Sequence, residues 1–327
     1  MTYFVTGATG FIGATLVRRL IDDGDDVIAI VRNPETATQL PPAVELVRGD
    51  VTDKESMRDA MARCDRVFHL AGWYRIGVRE PTTARRVNVD GTRAVLELMD
   101  ELDIEKGVYA STLAVFSDTR GEVVTESYRY DGPHLSIYDR TKWQAHYEVA
   151  VPMIDAGLPL VIALPGAVYG PGDRGPMWLL WEAYLQNDLP FISRRSGYCW
   201  GHVDDTVDGL VRTMRDGTIG DSYIIAGEPK RLVDVFALAQ EITAIPAPRA
   251  ISPAVFRVLS RAVAPFEKIR RLPPAYSSEA LRILGGVTYW GENTKAVREL
   301  GLEHRPFREG LRETLEAELE SLDGVVR

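Results

Sequence analysis

The first half of the chain alternates short apolar runs with longer stretches in which apolar residues recur at helical spacing. The apolar runs are typical of buried strands and lie at residues 3–5, 26–31, 44–49, 67–70, 106–110 and 158–163. Between them, residues 14–22 and the stretch that begins at Asn88 have the apolar spacing of helices. Strands and helices that alternate in this way predict an α/β fold with a doubly wound, parallel sheet.

A glycine-rich turn, TGATGFIG at residues 6–13, separates the first strand from the first helix. Such a turn directs free backbone N–H groups at one point, where the helix dipole also favours an anion. Gly7 would permit the tight turn, Gly10 a close approach of the phosphates, and Gly13 the packing of helix against strand. The stretch predicts a pyrophosphate cradle, although an ordinary βα turn is the alternative. The cradle also includes Thr9, Phe11 and Ile12.

Arg32 follows the second predicted strand, at the position that faces the adenosine ribose in a dinucleotide fold. A carboxylate there selects NAD, whereas an arginine suits the 2′-phosphate of NADP. The sequence therefore favours NADP(H) over NAD(H), the alternative being a surface arginine at a strand end.

The next two strand ends add cofactor positions. Asp50 and Val51 are predicted to face the adenine, unless this cluster only caps the following helix through Asp53 or Thr52. The fourth strand ends in small residues that leave room for a cofactor, namely Leu70, Ala71 and Gly72.

Tyr138 and Lys142 are four residues apart in a predicted helix, so they lie on the same helical face. An ammonium group there favours the phenolate and would lower the pKa of the tyrosine from its reference of ~10. Such a tyrosine exchanges a proton with a substrate hydroxyl near neutral pH. The pairing also arises by chance, and the glycine cradle earlier in the chain is what makes it a catalytic candidate.

Composition narrows the class of protein. The 327 residues, 45% hydrophobic and 26% charged, are typical of a soluble globular protein. A net charge of −9 and a pI near 5.2 argue against a nucleic-acid partner. Cys64 and Cys199 lie far apart without metal-ligand spacing, which indicates reduced thiols in a cytoplasmic protein and no metal site. No apolar run approaches the ~20 residues of a membrane span.

These motifs make the chain resemble an extended short-chain dehydrogenase/reductase of the NAD-dependent epimerase/dehydratase family, similar to the dihydroflavonol reductase group. The resemblance covers nearly the whole chain, through GDVTD at 49–53, HLAG at 69–72, NVDGT at 88–92, STLAVF at 111–116, YDRTK at 138–142, PGAVYGPGD at 165–173, HVDD at 202–205 and NTKAVRELG at 293–301. It implies a Rossmann domain at 1–173 and 201–227. A smaller substrate-binding part would comprise 174–200 and 228–327.

The resemblance also implies roles for individual residues. Tyr138 would be the catalytic acid/base, Lys142 would tune it and bind the nicotinamide ribose, and Thr112 would bind the substrate oxygen, with Ser111 as an alternative. Asn88 would contact the cofactor, unless it caps or bends its helix. Pro165, Gly166 and Val168 would lie along the nicotinamide. The helices starting at Asn88 and Tyr138 would pair in a homodimer, unless their apolar faces pack on the sheet instead.

Two departures from the sugar-nucleotide members of the family bear on the substrate. Ala167 stands where those enzymes carry an asparagine, and Tyr198 where they carry an arginine, so a diphosphate would lose charge-assisted bonds. Arg174, Arg194 or Arg195 could compensate. The alternative function therefore stays open: an NDP-sugar epimerase or dehydratase with tightly bound NAD(P).

Aromatic residues replace the lost polar groups. The segment expected to cover the substrate contains Trp178, Trp181, Tyr184, Tyr198 and Trp200, and Trp73 is expected to border the pocket. An apolar pocket suits a ring-bearing or aliphatic carbonyl compound, although aromatic residues at helical spacing also pack cores. The sequence thus predicts an NADP(H)-dependent oxidoreductase that reduces a ketone or aldehyde, with Tyr138 as proton donor.

Residues 245–274 are rich in proline and contain an apolar stretch at 254–263 and a basic run at 268–271. A mobile lid, a weak membrane-surface contact or a packed surface helix would each account for this composition.

Overall fold

The computed structural model describes residues 1–268, 272–273 and 276–325, so most of the basic run predicted at 268–271 lies outside the described residues. The strands are β1 (Thr2–Thr6), β2 (Asp26–Val31), β3 (Glu45–Arg48), β4 (Arg66–His69), β5 (Lys106–Ala110), β6 (Leu160–Leu164), β7 (Ala167–Tyr169), β8 (Phe191–Ser193), β9 (Gly197–His202), β10 (Ser222–Ile224), β11 (Pro229–Arg231), β12 (Arg249–Ile251) and β13 (Thr288–Tyr289). The α-helices are α1 (Phe11–Asp22), α2 (Glu55–Met61), α3 (Pro81–Arg85), α4 (Gly91–Glu101), α5 (Ile137–Gln144), α6 (Val151–Asp155), α7 (Pro176–Leu185), α8 (Val203–Asp216), α9 (Leu232–Thr243), α10 (Pro253–Val263), α11 (Ser278–Ile283), α12 (Thr294–Leu300) and α13 (Phe307–Val325).

Seven parallel strands form the central sheet, in the order β10-β6-β5-β4-β1-β2-β3. The chain runs outward in one direction from β1 through β2 and β3, and in the other through β4, β5 and β6. This arrangement confirms the predicted doubly wound α/β fold. The C-terminal ends of β1 and β4 meet at the point where the strand order reverses, which is where such sheets bind ligands.

Two hydrophobic cores lie against opposite faces of the sheet, because successive side chains of a strand point to opposite faces. In β1, Phe4 belongs to one core, while Tyr3 and Val5 belong to the other. Buried positions therefore follow one another without interruption along the central strands, as expected of a parallel sheet covered by helices on both faces.

Two long helices on one face each contain a widened, π-helical turn. The first runs from α3 into α4 through the turn at Arg86–Asp90, and the second runs from α5 into α6 through Ala145–Ala150. π-Helical turns of this kind often occur at functional sites. The widened turns hold Asn88 in the first helix and His146 in the second, and both side chains are buried.

A third core joins α7, α9, α13 and strand β9 and contains Trp178, Trp181, Tyr184 and Trp200. All four side chains are buried. They therefore follow the alternative given above, in which aromatic residues at helical spacing pack a core. Strand β9 connects this core to the first, because Cys199 packs in the first core and its neighbour Trp200 in the third. Among the described helices, none is long and apolar enough to cross a membrane.

Candidate active site

The glycine turn between β1 and α1 has the close contacts that only glycine permits. Gly7 has a positive φ of 74°, and a Cβ there would lie 2.6 Å from the backbone nitrogen of Ala71. A Cβ on Gly13 would lie 2.1 Å from the carbonyl oxygen of Gly7. Gly10 is the N-cap of α1 and has no side chain with which to cap it. The first N–H groups of α1 therefore lack a side-chain cap, and this arrangement fits a pyrophosphate group.

Two exposed arginines lie at the C-terminal ends of β2 and β3. Arg32 is exposed directly after β2, and Arg48, also exposed, is paired in register with Val31 on the adjacent strand β3. Neither guanidinium forms an ion pair with the residues that the structure describes. Arg48 was not predicted as a site residue from the sequence. Its position at the end of the predicted strand that follows Arg32 was the available signal.

Asp50 organises the turn after β3. One of its carboxylate oxygens accepts hydrogen bonds from the N–H and the hydroxyl of Thr52, each at 2.9 Å. The N-cap of α2 is Lys54, without a side-chain capping bond, so the alternative that Asp53 or Thr52 caps this helix is wrong. Val51 is buried beneath Gly91, where a Cβ would approach its side chain to 2.9 Å.

Tyr138, Thr112 and Lys142 converge beyond the C-terminal end of β5. Tyr138 lies in the first turn of α5, and its hydroxyl interacts with that of Thr112. The Lys142 ammonium donates to the hydroxyl of Tyr109 at 3.0 Å and to the carbonyl of Ala110 at 2.9 Å. The Ser111 hydroxyl instead hydrogen-bonds Nδ1 of buried His146 at 2.9 Å. The geometry thus favours Thr112 over Ser111 as the hydroxyl next to Tyr138.

Burial shifts the pKa values of both Tyr138 and Lys142. It raises the pKa of Tyr138, an effect that the bond with Thr112 only partly offsets. It also lowers the pKa of Lys142 to about 7. The sequence-based expectation that Lys142 lowers the tyrosine pKa is therefore wrong for this structure: desolvation raises that pKa, and the Lys142 ammonium is directed to Tyr109 and Ala110. Tyr138 is a neutral phenol here, which is the form that a proton donor requires.

Asn88 fixes the backbone of the loop after β4. Its side-chain oxygen accepts from the N–H of Trp73 at 2.6 Å, and its amide donates to the Trp73 carbonyl at 3.0 Å and to the Thr141 hydroxyl at 2.9 Å. Both amide hydrogens are thus used within the protein. Asn88 links the loop that follows Leu70, Ala71 and Gly72 to the helix that carries Tyr138.

One tyrosine ring packs against Tyr138, and a pair of stacked tyrosines is hydrogen-bonded to the next residue of α5. The half-exposed ring of Tyr74 lies 4.5 Å from that of Tyr138, whereas its neighbour Trp73 is buried. Tyr198 stacks on Tyr289 at 5.8 Å, and the Tyr289 hydroxyl donates to Asp139 at 3.0 Å. Of the aromatic residues expected to cover the substrate, Tyr198 is the one that this network connects to α5. Trp178 packs in the third core instead, with the Arg174 guanidinium 4.8 Å from its ring centre.

Asp139 is a buried carboxyl group beside the candidate proton donor. It accepts a hydrogen bond from the Ser136 hydroxyl at 2.7 Å as well as the bond from Tyr289. Burial nevertheless raises the pKa of Asp139 to about 7. Asp139 and Tyr289 were missed from the sequence: Asp139 lies within the YDRTK motif, and Tyr289 had no local signal because it lies 150 residues further along the chain.

The turn after β6 lies against the loop that carries Thr112. The carbonyl of Pro165 accepts from the N–H of Leu113 at 2.9 Å. Gly166 is pressed against β9, where a Cβ would lie 2.1 Å from the Cys199 carbonyl oxygen. Ala167 and Val168 then pair with β9 as part of β7. The predicted nicotinamide-side residues and Thr112 thus share one edge of the cleft.

Comparison with known proteins identifies related sequences. A family model described as the NAD dependent epimerase/dehydratase family matches residues 3–226. A putative dihydroflavonol 4-reductase from Synechocystis sp. is 30% identical over 94% of this chain and 92% of its own length. Sterol demethylase protein B from Methylococcus capsulatus is 29% identical over 92% of this chain and 93% of its own length.

Solved structures share the fold over almost the whole chain. The structure named gox2253 has a TM-score of 0.85 at 26% identity and covers 98% of both chains. MoeE5 in complex with UDP-glucuronic acid and NAD has a TM-score of 0.75 at 26% identity, covering 98% of this chain and 100% of its own. MoeE5, which shares this fold, therefore binds the nicotinamide cofactor NAD.

Proposed function

The chain belongs to the NAD dependent epimerase/dehydratase family, whose members are extended short-chain dehydrogenases/reductases, and within it we propose that this NAD(P)-dependent enzyme reduces a ketone or aldehyde to an alcohol. The proposed cofactor is NADP(H), and the proposed proton donor is Tyr138. The observation that carries the proposal is the placement of Tyr138 in the first turn of α5, with its ring 4.5 Å from that of Tyr74 and its hydroxyl near that of Thr112, which keeps the raised pKa of the phenol from rising further.

The proposed chemistry assigns one role to each of the three side chains. Pro165, Gly166 and Val168 would lie along a nicotinamide, which would supply the hydride for the carbonyl carbon. Tyr138 donates its phenolic proton to the carbonyl oxygen, and the Thr112 hydroxyl hydrogen-bonds the same oxygen as charge develops on it. Lys142, when protonated, stabilises the phenolate left on Tyr138 and holds the ribose.

The aromatic surroundings favour an apolar carbonyl compound over a sugar nucleotide. Tyr198 occupies the position where the family's sugar-nucleotide enzymes carry an arginine, and it is stacked on Tyr289. Arg174, a possible substitute, is ion-paired with Glu318. The names of the two relatives, a dihydroflavonol reductase and a sterol demethylase protein, also concern ring compounds without a diphosphate.

Preference for NADP(H) rests on Arg32 and Arg48. Both guanidiniums are exposed at the C-terminal edge of neighbouring strands, and the described residues offer neither one a carboxylate partner. A 2′-phosphate would supply that partner, since arginine binds phosphate oxygens in bidentate fashion.

We also propose that residues 174–200 and 228–327 form the substrate-binding part and that the protein is a cytoplasmic homodimer. The third core draws nearly all its residues from these two ranges. Cys64 and Cys199 are free and buried, in keeping with a reducing compartment. Light scattering coupled to gel filtration measures the mass, and a monomer would rule out pairing through α4 and α5.

The decisive experiment is calorimetric titration of cofactor-stripped protein with NADPH and NADH, followed by assays with flavonoid, steroid and aliphatic ketones or with UDP- and dTDP-sugars. The proposal expects tighter binding of NADPH, carbonyl-dependent oxidation of NADPH, and no heat from sugar nucleotides. Retention of NAD(H) through stripping, together with a sugar-nucleotide signal, would instead establish an epimerase or dehydratase.

A further inference from the structure

A carboxylate from the C-terminal part of the chain binds two backbone amides next to the candidate proton donor. Glu279, on α11, accepts a hydrogen bond from the N–H of Ile137 at 2.6 Å and from the N–H of Gly77 at 2.7 Å. Each contact uses a different carboxylate oxygen. The two amides lie 142 and 202 residues away from Glu279 in the sequence, so this single side chain connects three separate segments.

Both amides belong to segments that determine the position of Tyr138. Ile137 is the first residue of α5 and immediately precedes Tyr138; its N–H lacks an acceptor within the helix. Gly77 lies three residues after Tyr74 in the loop between β4 and α3, and the ring of Tyr74 packs 4.5 Å from that of Tyr138. The positive φ of Gly77, 76°, turns this loop. Movement of either segment would displace the phenol from the Thr112 hydroxyl.

A second carboxylate strengthens the same connection. Glu267 accepts from the N–H and from the hydroxyl of Ser278, each at 2.6 Å, and so fixes the start of α11. Its carboxylate also lies 3.4 Å from the Arg79 guanidinium, two residues beyond Gly77. The Ser260 hydroxyl of α10 donates to the carbonyl of Ser278 at 2.7 Å. Glu267 and Ser260 thus hold Ser278, the residue that precedes Glu279 at the start of α11.

We propose that Glu279 is a positioning residue, which holds the Tyr74 loop and the start of α5 in the arrangement that aligns Tyr138 for proton transfer. Neither amide reaches Glu279 unless α11 is docked across the site. The carboxylate therefore couples the packing of the substrate-binding part to the alignment of the proton donor. This inference rests on the proposed function for its catalytic consequence, but the contact itself can be measured independently.

The test compares Glu279→Gln, Glu279→Asp and the control Glu316→Gln in the full-length protein. A glutamine has one acceptor oxygen for two amides, and an aspartate keeps the charge but is one methylene too short to span them. Glu316 is an exposed glutamate on α13 without an assigned contact. Amide hydrogen exchange is followed in peptides covering residues 73–80 and 134–140, together with NADPH affinity, kcat and KM.

We expect both Glu279 variants to exchange faster in these two peptides alone, with kcat lowered roughly ten- to a hundred-fold by misplacement of Tyr138. NADPH affinity should stay within about two-fold, because neither amide that Glu279 binds belongs to the glycine turn at residues 6–13. Unchanged exchange, or a full kcat in Glu279→Asp despite faster exchange, would overturn the positioning role. If the Glu279 variants exchange faster but the wild-type protein reduces no carbonyl compound, the contact is supported and the proposed function is refuted.

Discussion

Tyr138 is the residue on which the proposed chemistry depends most directly. Replacement by phenylalanine keeps the ring beside Tyr74 but removes the proton, so kcat should fall by roughly 10²–10⁴-fold, the usual contribution of a general acid. Cofactor affinity, measured by calorimetry, should change little. The control is Tyr74→Phe, which also removes one hydroxyl from the same ring pair. Turnover within ten-fold of wild type in Tyr138→Phe would exclude the phenol as proton donor.

Arg32 decides the proposed cofactor preference. Replacement by aspartate removes a guanidinium and adds a charge that repels a 2′-phosphate, so NADPH should bind roughly 10- to 150-fold more weakly, as expected for the loss of one charge-assisted contact. NADH affinity should hold or improve. Arg93→Asp, a substitution at another exposed arginine, controls for net charge. Equal NADPH affinities in both variants would mean that Arg32 is only a surface residue.

Asp139 makes stability depend on pH in the direction opposite to that of a carboxylate whose pKa is lowered by folding. The native state holds this proton up to about pH 7, whereas the unfolded chain releases it near pH ~4. Between these values the native state binds more protons, so the free energy of unfolding falls as pH rises. Asp139→Asn has no carboxyl proton to lose, so its free energy of unfolding should not fall in this way. Relative to wild type, the variant should gain on the order of a few kcal/mol as pH rises from about 5 to 8.

The measurement for Asp139 is urea unfolding of variant and wild type at several pH values, with exposed Asp188→Asn as the control. The relevant quantity is the difference in the free energy of unfolding between variant and wild type at each pH. His69 and His146, whose pKa values burial lowers to about 3, contribute a slope of opposite sign that is common to both. Parallel pH curves for Asp139→Asn and wild type would show that the carboxyl group titrates normally.

At the scale of elements, the widened turn of the first long helix serves to place Asn88. Replacement by alanine leaves the backbone groups of Trp73 and the Thr141 hydroxyl without their partner in a buried environment. The free energy of unfolding, measured with urea, should fall by roughly 2–4 kcal/mol. Exposed Gln186→Ala should change it by less than about 0.5 kcal/mol. A similarly small loss for Asn88→Ala would mean that water replaces these bonds.

The sequence predicted the central elements because their burial leaves a local pattern. Parallel strands covered on both faces are continuous apolar runs, so β2 and β5 begin and end where the pattern places them. The glycine turn was predicted for the same reason, because its signal lies within the contiguous residues 6–13. The widened turns were not predicted, since a π-helical turn keeps the helical pattern of the surrounding residues. Three-residue strands such as β7 and β11 are too short to show a periodicity.

Contacts between distant segments explain what was missed at the site. Glu279 and Tyr289 reach α5 only after the C-terminal part has folded onto the sheet. No local spacing marks such residues. The sign of the Tyr138 pKa shift was wrong for a related reason: helical spacing places Lys142 on the same face, but the degree of burial, which decides the shift, is a property of the whole fold.

At the scale of the whole molecule, strand β9 joins the cores and should make unfolding cooperative. Trp181 is fully buried in the third core, and its replacement by alanine should cost roughly 3–5 kcal/mol. Because Cys199 and Trp200 anchor the same strand in two cores, tryptophan fluorescence and far-UV circular dichroism should still report one coincident transition. Exposed Leu179→Ala is the control. An earlier, separate fluorescence transition would show that the two parts unfold independently.

The two ends of the cleft are encoded in the chain in different ways. The glycine turn and Arg32 occupy one uninterrupted stretch near the N-terminus, whereas the tyrosines that contact Tyr138 or its neighbour Asp139, directly or through one another, are residues 74, 198 and 289. Exchange of the single block that contains the glycine turn, Arg32 and Arg48 would therefore transfer the proposed cofactor preference intact. A change in the proposed substrate choice would instead require separate substitutions in three distant segments of the gene.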